Sequence, residues 1–66
     1  MALQRGRCRL DELLGDLSPA EFARRMGVNE STVSRWRRGE RLMSYESAVE
    51  AAAILGCHAE DLYYWI

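Results

Sequence analysis

Apolar residues recur along the chain at intervals of three and four, the spacing of one face of an α-helix. No stretch reads as the two-residue alternation of a half-buried strand. Leu10, Leu13 and Leu14 share one face of a first helix, expected from about Arg7 to Leu14 and ended at Gly15. A second helix starts at Ser18, an N-cap, with Pro19 in the first helical position and Glu21 completing Ser-x-x-Glu, a capping box. Ala20, Phe22, Ala23 and Met26 supply its buried side, and Gly27 stops it. Asn29 caps a third helix, Glu30–Arg38, closed by Gly39. After a loop over Glu40–Met43, Ser44 begins a fourth, Tyr45–Leu55, with only half a capping box; Gly56 ends it. Ala59–Ile66 reads as a short fifth helix, with Glu60 and Asp61 in the first turn, where the helix dipole favours them. The expectation is one all-α, compact five-helix domain over residues 1–66, without repeats, low-complexity runs or linkers.

Only Gly27 and Val28 separate the second helix from the cap of the third, so these two helices must cross steeply. That describes a helix-turn-helix unit over about residues 19–38. At about 100° per residue, with Val33 facing inward, Trp36 lies about 60° to one side and Arg37 about 40° to the other. Ser31, Arg35 and Arg38 then fall within about 40° of the opposite pole. A buried Val/Trp stripe backs an exposed Ser/Arg/Arg stripe.

Charge sharpens this picture. The net charge of the 66 residues is −1, but it is segregated. Arg5, Arg7 and Arg9 make the first nine residues +3, and Asp11, Glu12, Asp16 and Glu21 make residues 10–23 −4. Six arginines against Glu30 and Glu40 make residues 24–41 +4, and residues 42–66 are −4. Segregation of this kind steers a phosphate backbone where the average would not. Every cation is Arg, which forks onto phosphate and guanine, although a GC-rich coding sequence produces the same preference.

A chain this short has little room for a substrate pocket, and no nucleophile–base pair, glycine-rich phosphate loop or catalytic carboxylate pair is visible, so an enzyme is not expected. Cys8 and Cys57 lie far apart and the single His adjoins Cys57, which fits buried free thiols in a reducing cytosol better than a metal site. No metal, other cofactor or small-molecule ligand is expected. Met1 to Arg9 holds no apolar run, so neither a leader nor a membrane span is expected and the location is cytoplasmic.

From Arg9 to Ile66 the chain resembles the lambda-repressor-like, Cro/Xre-type helix-turn-helix regulators of bacteria and their phages. The resemblance rests on Ser18-Pro19-Ala20-Glu21-Phe22-Ala23-Arg24-Arg25-Met26-Gly27-Val28-Asn29-Glu30-Ser31-Thr32-Val33-Ser34-Arg35-Trp36-Arg37-Arg38-Gly39. Ala23, Gly27 and Val33 match the small, turn and β-branched positions of the pattern, and Leu55-Gly56-Cys57 with Leu62 matches its closing segment. Ala23 lets the two helices approach, Gly27 takes the left-handed turn, and Val33 with Trp36 anchors the recognition helix.

The resemblance implies a small transcriptional regulator, a repressor, that places Glu30–Arg38 in the major groove of double-stranded DNA. It assigns base contacts to Glu30, Ser31 and Arg35, with Thr32 at the margin. Glu30 either accepts from a cytosine or is simply a first-turn acid favoured by the dipole. Phosphate contacts fall to Asn29, Arg38 and Arg41. Arg5, Arg7 or Arg9 could add a clamp on the other side of the groove, or be solvated surface charges. The family's habit of binding near-palindromic operators implies a homodimer, formed on DNA or through the aromatic Leu62–Ile66 tail; alternatively that tail covers the first and fourth helices.

Two departures stand out. Pro19 replaces a Gln that contacts phosphate in many members, which removes that anchor. The customary Arg on the first helix and Glu on the third are exchanged here for Glu12 and Arg37, so a partly buried Glu12–Arg37 ion pair is expected. The competing reading is a protein-binding module, antitoxin-like or adaptor, that reuses the fold. Such a module has no need of the Ser31/Arg35/Arg38 stripe.

Overall fold

Four α-helices and a two-stranded antiparallel ribbon make up residues 3–66, the part of the chain described by a computed structural model. Strand β1, Arg5–Cys8, leads into α1, Leu10–Leu14, then α2, Pro19–Met26, α3, Glu30–Arg38, and α4, Tyr45–Leu55. A single 3-10 turn, Ala59–Leu62, passes the chain to β2, Tyr63–Trp65, which returns to pair with β1. Expectations that concern Met1 and Ala2 lie outside the described residues.

α2, α3 and α4 have the limits read from the sequence, and the two ends of the chain do not. The first helix starts at Leu10 rather than Arg7, and the fifth helix is replaced by a turn and a strand. The absence of strands expected from the pattern is therefore corrected. From Arg5 to Leu10, arginine alternates with Gly6, Cys8 and Leu10, which is a period of two. At the other end, Tyr63-Tyr64-Trp65 are residues that suit a pleated surface better than a helix. As a strand they place Tyr63 in the core and Tyr64 facing out, with Trp65 exposed at the end.

Pairing Arg5 with Trp65 and Cys8 with Tyr63 leaves one extra residue on β1, a bulge-like irregularity. Gln4 and Ile66 exchange backbone hydrogen bonds of 3.0 and 2.8 Å, and the Arg9 N–H donates to the Leu62 carbonyl at 2.8 Å. Gly6 sits at a close approach, since a Cβ there would meet the Tyr64 carbonyl oxygen at 3.1 Å and the paired strand would have to give by a few tenths of an ångström. The Arg5 guanidinium lies 5.4 Å from the ring centre of the inward Tyr63, and on the ribbon's other face those of Arg7 and Arg9 lie 5.4 and 5.1 Å from that of Tyr64. Each such exposed stack contributes about 0.5–1 kcal/mol.

The core joins all these elements. Leu10, Phe22, Val33 and Leu62 are fully buried, with Cys8, Leu14, Ala23, Met26, Trp36, Ala51 and Tyr63 around them. Burying each large side chain contributes about 1.5–3 kcal/mol. Because Cys8 and Tyr63 belong to this cluster, the ribbon is part of the core and not an appendage.

Candidate nucleic-acid interface

The recognition helix is positioned by short-range chemistry at both of its ends. Ser18 Oγ accepts the Glu21 N–H at 3.1 Å, so α2 begins where expected. Only that half of the capping box forms. The Glu21 carboxylate turns instead to Arg25 and Arg24, whose guanidiniums hold it below the usual glutamate range. Gly27, at φ 72°, takes the left-handed conformation that ends α2, and the Val28 N–H reaches back to the Ala23 carbonyl at 3.0 Å. Ala23 is buried at the crossing. Asn29 is extended, as an N-cap is, but its side chain makes no capping bond and stands exposed.

α3 has two distinct faces. Val33 and Trp36 are 0% and 3% exposed, packed into the core. Glu30, Ser31, Arg35 and Arg38 are exposed on the outer side, and Thr32 is half-buried at the margin. Gly39, at φ 78°, closes the helix, and the Arg35 carbonyl accepts from the Glu40 and Arg41 N–H groups at 2.9 and 3.3 Å. That wrap brings the exposed Arg41 back beside Thr32 and Trp36, with which it lines a shallow hollow. Arg35 and Arg41 have no carboxylate partner among the described residues, while Arg38 lies 3.4 Å from Glu40. Both members of that last pair are largely in water, so the contact is weak and separable.

The expected Glu12–Arg37 pair does not form. Arg37 does turn toward α1, but its partner is Asp11, and Glu12 faces the ribbon. The cause is the late start of α1. With Arg7 and Arg9 in or beside a strand, both guanidiniums stand over Glu12, at 3.6 and 3.7 Å, and the Tyr64 hydroxyl donates to it at 2.5 Å. Asp11 is left to face α3. The Arg37 side chain is 34% exposed and that of Asp11 64%, so this is a wet pair, worth about 0–1 kcal/mol.

Two hydrogen bonds order the segment that follows α3. The Tyr63 hydroxyl accepts the Met43 N–H at 3.3 Å, which ties the loop after Arg41 to β2. Ser44 caps α4 by accepting the Ser47 N–H at 3.1 Å. The two cysteines are free thiols, Cys8 buried and Cys57 half-buried. Burial pushes Cys8 up, assisted by Asp11 and opposed by a Leu10 backbone hydrogen bond; burial and Asp61 do the same for Cys57, against Arg9. No helix among the described residues is long and apolar enough to cross a membrane.

The strand arginines were legible in the sequence as charges, but their place beside the carboxyl end of α3 was not. The signal that would have found the strand is the Arg5/Arg7/Arg9 alternation itself, although the irregularity between Arg5 and Cys8 turns Arg5 toward the Tyr63 side while Arg7 and Arg9 stay over Tyr64.

Comparison with known proteins agrees with this architecture. The model of a helix-turn-helix family matches residues 9–62. A Haemophilus influenzae protein described as an uncharacterized helix-turn-helix-type transcriptional regulator is 42% identical over 55 residues, which is 82% of this chain and 23% of the relative. The chain thus spans about a quarter of that relative's length. With α2, the Gly27 turn and α3 inside the matched region, the chain belongs to the Cro/C1-type helix-turn-helix family.

Proposed function

We propose that this chain binds double-stranded DNA in a sequence-specific way, with α3 in the major groove, and serves a prokaryotic or phage transcriptional regulator, acting as a repressor in the cytoplasm. The observation that carries the reading is the two-faced α3: Val33 and Trp36 lock it to the core while Ser31 and Arg35 look into solvent. A helix held rigidly by one face can present the other to base edges without the entropic cost of ordering it on binding. Arg35 forks onto guanine O6 and N7, Ser31 and Thr32 bond adjacent base edges, and Glu30 accepts from cytosine N4. Asn29, with its side chain unused as a cap, joins Arg38 and Arg41 in gripping phosphates.

Two copies on a palindromic operator would set their recognition helices about 34 Å apart. Tyr64, Trp65 and Ile66 leave exposed apolar surface beside the ribbon, which supports pairing of two copies there. The protein-only alternative leaves the unpaired Arg35 and Arg41 without a use.

The test is selection of sites from random duplex DNA. A motif is expected, and within it Arg35→Ala relaxes one base position at a cost of about 1–3 kcal/mol. Failure to enrich any motif at moderate salt would overturn the reading in favour of a protein partner.

A further inference from the structure

We infer that the DNA-binding surface continues past the end of α3 onto strand β1, where Arg5 and Arg7 join Arg38 to hold a backbone phosphate of the bound duplex. This rests on the proposed placement of α3 in the major groove. A cleft of about 420 Å³ opens between β1 and the carboxyl end of α3. Arg5, Arg7, Arg37 and Arg38 line it together with the backbone of Gly6 and Gly39, and no carboxylate is among its lining residues. Its chemistry is that of a polyanion site.

The neighbouring carboxylates do not neutralise it equally. Arg37 is committed to Asp11. Arg7 touches Glu12 only at 3.6 Å with 75% of its side chain exposed, and Arg5 has no carboxylate partner among the described residues. Arg9 differs from both. Its side chain is largely covered, its Nε is buried without a hydrogen-bond partner, and it stands over Tyr64 beside Glu12. It therefore orients the ribbon and does not meet DNA.

Continuity with α3 identifies the occupant. Arg38 belongs both to the exposed stripe of α3 and to the wall of this cleft. A helix seated in the major groove has the phosphate ridges as its flanks, about 12 Å apart, so the surface reached just beyond its last turn is a ridge and not a base. The Tyr63 and Tyr64 rings under Arg5 and Arg7 hold the two guanidiniums near their working positions, which limits the side-chain order lost on binding.

The experiment measures affinity against salt for a duplex selected as above and for an unrelated duplex of equal length. Arg5→Ala with Arg7→Ala should flatten the slope of log affinity against log salt by about one to two, and weaken both duplexes by the same factor. Arg5→Lys with Arg7→Lys should keep the slope, and Arg9→Ala should lower thermal stability while leaving the slope of the folded protein unchanged. Phosphate-ethylation interference on the unaltered protein, which needs no variant to fold, should show a blocked phosphate cluster that the Arg5→Ala, Arg7→Ala protein no longer reports. An unchanged slope and unchanged interference pattern in that folded variant overturn the inference. If instead Arg35→Ala leaves the selected motif intact, the placement of α3 is what fails.

Discussion

The α2–α3 unit and the β1–β2 ribbon are built on opposite principles. In the first, each decision is taken within a few residues: Ser18 caps, Gly27 turns, Gly39 stops, and Val33 and Trp36 fasten α3 to a core it is already beside. In the second, Arg5 meets Trp65 and Cys8 meets Tyr63, so neither strand has a partner until most of the chain between them is in place. The local unit closes only short loops, whereas closing so long a loop is costly and must be repaid by the core contacts of Cys8, Leu62 and Tyr63. The lesson is a division of labour. The face that would read bases is specified locally, and the ribbon fixes what lies beside it.

Removing the anchor of the local unit should have the largest effect. Trp36→Ala empties a buried site shared by α3 and the core, and should destabilise the fold by about 3–5 kcal/mol in urea titration. In a protein this small that loss also removes the ribbon, so both regions should melt together. The ribbon side is sharpened by Tyr64→Phe, which deletes the hydroxyl that donates to Glu12. A loss of about 0.5–1.5 kcal/mol is expected, with faster amide exchange at Gln4, Arg9 and Ile66 and little change in α3. Equal acceleration in both regions would show that they unfold as one unit even locally.

The smallest effect concerns Glu21. Its folded value is lowered by Arg25 and then Arg24, so its contribution to stability is complete above the ordinary glutamate range and fades as the pH falls through the lowered value. Glu21→Gln should therefore narrow the gap in urea midpoint between pH 6 and pH 3 slightly, and added salt should shrink the difference further because the pair is exposed.

The same contrast explains what could be read from the residues alone. α2, α3 and α4 end at Gly27, Gly39 and Gly56, each at positive φ, and the glycines announce those limits because few other residues tolerate that conformation. The two faces of α3 follow from the 3.6-residue repeat with Val33 as reference. The ribbon was illegible because its evidence is split between distant segments, and because Gly6 hides the apolar half of an alternation whose polar half is arginine. The Glu12–Arg37 expectation comes from the family's pairing of its first and third helices, which gives no sign that Arg7, Arg9 and Tyr64 converge on Glu12 and leave Asp11 to Arg37. Where the error touched the candidate interface, it concealed only the strand arginines.

The hydrogen-bonded meeting of Gln4 with Ile66 has a topological consequence. It brings positions 62 residues apart in sequence side by side on the surface. A linker of a few residues between those two positions would turn the chain into a ring, and new ends could then be opened in the loop between α3 and α4 without disturbing a helix.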